Sequence, residues 1–215
     1  MKNHPRIFPL LTLLASVTLA LPAFAQSDVN ITPEARARFI REFHRIGLNT
    51  TPGDAMMLRI LARANCAQHG VEVGTATGYG AINMGLAFEA NGGVLETIDI
   101  DPRMVRVARE NIRKMGFEKT VKVIEGDALK VLPALQGTYD FVFIDAVKRD
   151  YLKYFRAIEP KLEPGAVIVA DNVIKFRAPM RDFLDYVAGN PNYEMVTIRA
   201  SMEKGDGMAV IYKLR

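Results

Sequence analysis

From residue 71 onward the chain alternates short apolar runs with longer stretches in which apolar residues recur every three or four positions. The runs lie at 71–73, 94–100, 121–124, 141–144, 166–170, 195–198 and 208–212. They are short and rich in Val, Ile and Phe, as strands covered on both faces are. Several of the stretches between them, such as 81–90, 102–115 and 178–187, have helical spacing. Strand and helix in alternation predict an α/β domain with a mostly parallel seven-stranded sheet and helices on both faces. Ahead of the sheet, residues 33–47 are predicted as one helix. Phe39, Ile40, Phe43 and Ile46 share a side, and Arg36, Arg38, Arg41, Glu42 and Arg45 fill much of the rest. Loop and capping residues at 49–54 then lead into a second, apolar helix over 56–64.

In open α/β sheets, ligands sit beyond the carboxyl ends of the strands, so the residues that end each apolar run carry the chemistry. The first run, Val71-Glu72-Val73, leads into Gly74-Thr75-Ala76-Thr77-Gly78-Tyr79-Gly80 and then a helix. Glycines let the backbone turn sharply and approach a ligand, while the free N–H groups of the helix start face it. The second run ends at Asp99, with Asp101 two residues on. An acid about 20 residues past such a loop can hold ribose hydroxyls. Asp101 precedes Pro102 and reads as a helix cap, which leaves Asp99 for the ribose. The third run ends Glu125-Gly126-Asp127-Ala128, where Asp127 either accepts from an exocyclic amine or caps the next helix.

The fourth and fifth runs both stop on aspartate, at Asp145 and at Asp171-Asn172. Neighbouring strands would bring these three together as an all-oxygen set suited to Mg²⁺ or Ca²⁺. Side by side, two unpaired carboxylates repel, and a divalent cation removes that cost. The competing reading makes Asp145 a helix cap and Asp171-Asn172 a surface turn. Lys148, shortly after Asp145, reads as a solvated charge from pattern alone.

Together these segments resemble the cation-dependent O-methyltransferases, the group that includes the catechol and caffeoyl-CoA enzymes. The similarity runs from about Thr50 to the C-terminus. It is carried by Thr50-Thr51-Pro52-Gly53-Asp54, Glu72-x-Gly74-x-x-x-Gly78-Tyr79, Thr97-Ile98-Asp99, Phe143-Ile144-Asp145 with Lys148 and Tyr151, Ala170-Asp171-Asn172, and Gly205-Asp206-Gly207. The resemblance implies a Rossmann-like class I methyltransferase fold that binds S-adenosylmethionine (SAM). Its cofactor residues would be Thr50, Glu72, Gly74, Thr75, Gly78, Tyr79, Gly80, Asp99, Gly126, Asp127, Ala128 and Asp145. Asp145, Asp171 and Asn172 would hold a divalent cation, Mg²⁺ with Mn²⁺ or Ca²⁺ as alternatives, and Lys148 would be the base. The implied reaction is methyl transfer to a hydroxyl of a small catechol-like or phenolic substrate, and the implied assembly a homodimer. Departures lie on both sides of the site. Gly80 replaces a usual Ser that touches the methionine part of SAM, Val147 the second Asp of the plant enzymes, and Phe176 their substrate-contacting Asn. Two other readings stand beside this one: a nicotinamide-dependent oxidoreductase on a similar sheet, and an exported binding protein of the same fold without catalysis.

The first 25 residues change the picture of location. Lys2 and Arg6 precede an uncharged, mostly apolar stretch at 7–21, then Pro22 and Ala23-Phe24-Ala25. That is the layout of a cleaved secretory signal peptide, followed by a single domain over 26–215. The expectation is an exported protein, periplasmic or secreted, with no stable membrane insertion after cleavage. A misjudged start would leave it cytoplasmic. The formal charge of +4 falls to near +2 once Lys2 and Arg6 leave. No basic block with interleaved aromatics points to nucleic acid. The single cysteine, Cys66, excludes an intrachain disulfide and is expected as a small buried hydrophobe.

Overall fold

The computed structural model describes residues 31–215. The signal-peptide reading of residues 1–25 therefore lies outside the described residues. Seven strands form one sheet: β1 (His69–Val73), β2 (Val94–Asp99), β3 (Val121–Glu125), β4 (Tyr139–Ile144), β5 (Leu162–Ala170), β6 (Tyr193–Ile198) and β7 (Met208–Lys213). Their order is β3-β2-β1-β4-β5-β7-β6. The first five are parallel, and β7 runs antiparallel to both β5 and β6. The mostly parallel sheet expected from the apolar runs is the one observed, in the Rossmann-like arrangement that the resemblance implies.

Successive side chains of a strand point to opposite faces, so each central strand serves two cores. In β4, Phe141 and Phe143 enter one core while Val142 and Ile144 enter the other. In β5, Val167 and Val169 are divided from Ile168 and Ala170 in the same way. Helices α2 (Pro52–Ala64), α3 (Tyr79–Asn91) and α4 (Pro102–Lys114) cover the phenylalanine face through Leu58, Ile82, Phe88 and Ile112. Helices α5 (Ala128–Ala134), α6 (Tyr151–Ile158) and α7 (Arg181–Ala188) cover the other through Leu132, Phe155 and Phe183. Burying one such phenylalanine contributes about 1.5–3 kcal/mol, so the two faces supply most of the drive to fold.

Two expectations are corrected. The helix predicted over 33–47 stops early: α1 spans Pro33–Arg41, with Glu42 as its cap. The chain then turns back, held by a 2.9 Å bond from the Ile46 N–H to Asn49 Oδ1. Phe43 is placed against the Tyr79 ring, centroids 5.1 Å apart, instead of along a helix stripe. A tertiary partner has overridden the helical period. Cys66 is exposed, not buried. It follows the last turn of α2 in a left-handed conformation, φ +51°. There its N–H bonds to Arg63 O and the Ala67 N–H to Ala62 O. This helix-ending turn swings the thiol outward and gives the buried place to Ala67.

Candidate functional site

The strand order reverses between β1 and β4, and the loops that leave their carboxyl ends frame a cavity of about 750 Å³. That is room for a drug-sized ligand. Gly74 makes the frame. Its φ is +101°, and a Cβ there would lie 2.0 Å from the carbonyl oxygen of Asp145. Only glycine lets the turn after β1 close against the end of β4.

One end of the cavity is built for a polar, nucleoside-like group. Asp99 closes β2 and accepts from the Ala76 N–H at 2.8 Å and the Asp101 N–H at 2.9 Å. Those bonds fix its carboxylate at the cavity wall, with lone pairs left for a ligand. Asp101 caps α4 as expected, accepting from the Arg103 N–H at 2.8 Å. Gly126, Asp127 and Ala128 line the same end. Asp127 also caps α5, accepting from the Leu129 N–H at 2.9 Å, so the two readings of that residue coexist.

Behind this wall lies Glu72, fully enclosed. It accepts from the Thr97 hydroxyl, which is itself 2.5 Å from that of Thr75. Burial pushes the Glu72 carboxyl up to about 8, and the charges of Asp145 and Asp99 add to the rise against the Thr97 bond. Gly80 explains its own departure from the usual Ser: a Cβ at that position would be 2.5 Å from Glu72 Oε1. Thr50 lies nearby with its buried hydroxyl unpartnered. Thr50, Glu72, Thr75, Gly78 and Gly80 thus form the layer beneath the cavity, while the Tyr79 side chain faces a second cavity between the helices.

The other end is rich in oxygen. Ile144 and Ala170 are paired in the β4–β5 register, so Asp145 and Asp171 leave adjacent strands side by side. Asp171 Oδ1 accepts from the Asn172 N–H at 2.7 Å, but Oδ2 is buried with no partner. Burial raises the Asp171 carboxyl to about 8, and the charges of Asp145 and Asp54 push the same way. Asn172 adopts φ +65°, a conformation asparagine tolerates, and lines the cavity. The Lys148 ammonium donates to Asp145 Oδ1 at 2.7 Å and to the Tyr151 hydroxyl at 2.9 Å. Tyr151 donates in turn to the Asp171 carbonyl at 3.2 Å. Its phenol is held well above its ordinary value by burial first, then by Asp145 and Asp171, so it stays protonated. Among the described residues no group of three or more His, Cys, Asp or Glu is set to hold a metal. The set here is two acids and an amide, and the unpaired Asp171 oxygen suits a hard cation.

The roof was not foreseen. Gly47 and Leu48 come from the turn after α1, Lys175 and Phe176 from the loop after Asn172, and Glu203 and Lys204 from the β6–β7 loop. Leu48, Val147 and Phe176 are exposed apolar side chains on this rim. The resemblance marks Val147 and Phe176 as departures, but Gly47, Leu48, Lys175 and Lys204 carry no signal in the sequence beyond their closeness to the named motifs.

Comparisons with known proteins bear on this arrangement. A family model described as O-methyltransferase matches residues 30–181. A catechol O-methyltransferase from Niastella koreensis is 36% identical over 132 residues, 60% of this chain and 59% of that enzyme. The alignment therefore spans about three fifths of that relative's length. Caffeoyl-CoA O-methyltransferase 2 from Populus trichocarpa is 27% identical across 78% of this chain and 76% of its own. Among solved structures, the O-methyltransferase TomG from Streptomyces achromogenes, in complex with SAM, superposes with a TM-score of 0.74. It is 29% identical and covers 85% of this chain and 89% of that one. The family match takes in well over half of the sequence and leaves no place for the nicotinamide reading. The chain belongs to the family of SAM-dependent class I O-methyltransferases that includes the catechol and caffeoyl-CoA enzymes.

Proposed function

We propose that this protein transfers the methyl group of SAM to a hydroxyl of a small phenolic or catechol-like molecule, with a divalent cation, Mg²⁺ or Mn²⁺, in the site. The observation that carries the reading is the buried, unpartnered Asp171 Oδ2, on the strand next to that of Asp145 and just behind the cavity wall that Asp145 and Asn172 line. Asp99 would accept from the ribose, and Gly74 and Ala76, which line the cavity, would hold the donor beside it. Asp145, Asp171 and Asn172 would hold the cation. Bound there, it supplies a positive charge that draws two adjacent substrate oxygens and makes the reacting hydroxyl more acidic.

The remaining chemistry belongs to the side chains. Lys148, held by Asp145 and Tyr151, is the group placed to accept the hydroxyl proton once it has released one of its own to solvent and stands as the neutral amine, a form that a nearby cation would favour. Tyr151 orients it. Leu48, Val147 and Phe176 offer an apolar rim against which an aromatic acceptor can lie flat. Holding acceptor oxygen and methyl donor in line accounts for much of the rate in a transfer of this kind.

The test is methyl transfer against a panel of catechols and phenols, with and without chelator. Chelation should abolish transfer while SAM binding, followed by calorimetry, survives. Mg²⁺ or Mn²⁺ should restore it, and Asp171→Ala should behave like the chelated enzyme. Transfer at full rate in chelator would remove the cation from the reading and leave the SAM pocket standing.

A further inference from the structure

A second cavity, about 920 Å³, lies between α1, α2 and the flank of α3, separate from the strand ends. Its walls are uneven in charge. Five arginines line it: Arg36, Arg41 and Arg45 from α1 and the turn after it, Arg59 and Arg63 from α2. Glu89 is the single acid among the lining residues. Arg36 is paired with Glu89, at 3.1 Å for its second contact, and Arg45 reaches out of the cavity to Glu203 at 3.2 Å. The other three have no carboxylate partner among the described residues. Arg59 donates to the Asn83 side chain, Arg63 to the Leu86 carbonyl at 3.3 Å, and Arg41 is exposed.

Two of these guanidinium groups are incompletely satisfied. The Nε atoms of Arg36 and Arg59 are buried and have no acceptor. A buried donor without an acceptor loses its hydration with nothing in return, so a native fold rarely keeps two of them at one cavity without a use. Arginine presents a planar fork that matches carboxylate and phosphate oxygens two at a time. Among the arginines, Ile40, Phe43, Met56 and Leu86 supply apolar lining.

We infer that this cavity is a second ligand site, for an organic anion whose phosphate or carboxylate head sits among Arg41, Arg59 and Arg63 and whose apolar part lies on Phe43 and Met56. It stands apart from the proposed acceptor and cation and does not depend on either.

Calorimetry with phenyl phosphate and with inorganic phosphate on the full chain tests it. Phenyl phosphate should bind the wild type, and Arg41→Gln with Arg63→Gln should weaken that binding about tenfold or more, the scale of charge-assisted contacts. Both side chains are exposed, so the fold and SAM binding should be unchanged. Arg106→Gln with Lys114→Gln, on the exposed side of α4, removes the same charge elsewhere and should leave binding intact. In ¹⁵N spectra the Nε–H signal of Arg59 should shift on titration. Vesicles of phosphatidylcholine with and without phosphatidylglycerol separate the sources. Sedimentation with the anionic vesicles, lost in the Arg41/Arg63 variant, assigns a lipid headgroup, and its absence beside phenyl phosphate binding assigns a soluble ester. No binding of phenyl phosphate at millimolar concentration, an equal loss in the α4 variant, or an unmoved Arg59 Nε–H signal would each overturn the site.

Discussion

Glu72 is the residue on which local chemistry and stability meet. Its position was legible because an acid inside an otherwise apolar run is conspicuous, but its enclosure was not, since Thr75, Thr97 and Gly80 surround it only after folding. With a carboxyl pushed up to about 8 by burial, folded Glu72 keeps a proton that the unfolded chain releases above about 4.5. The folded state therefore binds more protons across that window, and the Glu72 contribution to stability falls as pH rises from about 4.5 to 8. Below the window it is fully present. Glu72→Gln mimics the protonated acid and can still accept from Thr97. Its stability relative to wild type should therefore grow with pH, by up to roughly 3–5 kcal/mol at pH 8. Asp171 shifts in the same direction, so the wild type keeps some slope in both proteins. Chemical denaturation of the two at several pH values checks it, and parallel curves would show that Glu72 titrates normally.

The elements were legible to the extent that they are local. Each apolar run became a strand one to four residues longer at one or both ends, except β2, which stops at Asp99 where its side chain turns to cap the next turns. Thr51 and Asp54 form a reciprocal cap that starts α2 at Pro52, ahead of the apolar stripe. What the sequence pattern could not show is how loops from distant elements lock together. Asp206 is the clearest case. Its Oδ1 accepts from the N–H groups of Ile174 at 3.1 Å, Lys175 at 3.0 Å and Gly207 at 2.9 Å. One buried carboxylate thus ties the loop before β7 to the loop after Asn172, and both roof the cavity. Asp206→Ala should cost about 2–3 kcal/mol, the scale of losing bonds to a charged acceptor. Faster hydrogen exchange should be confined first to the Ile174 and Lys175 amides. Unchanged protection there would mean that the loops are held by other contacts.

At the scale of the whole molecule, the sheet order places the candidate site and also bears on where the protein works. The described domain begins its first helix at Pro33, and no helix among the described residues is long and apolar enough to cross a membrane. The export expectation comes from residues 1–25, where Lys2, Arg6, the apolar stretch at 7–21 and Ala23-Phe24-Ala25 have the layout of a signal peptide. A cleaved leader is absent from the mature protein, so the folded domain should not depend on it. Removal of residues 1–25 should leave the melting temperature within about 1 °C of the uncut chain, under the roughly 2–4 °C that 1 kcal/mol gives in a domain of this size. Fused to a reporter, residues 1–26 should carry it out of the cytoplasm, and mass spectrometry of the native protein should find an N-terminus near Gln26. An N-terminus still at Met1, with the protein in the cytosolic fraction, would overturn export. It would also place the enzyme where SAM is made. Export, if observed, sets a harder condition: a methyltransferase outside the cytoplasm needs its donor delivered, and turnover there should then depend on added SAM.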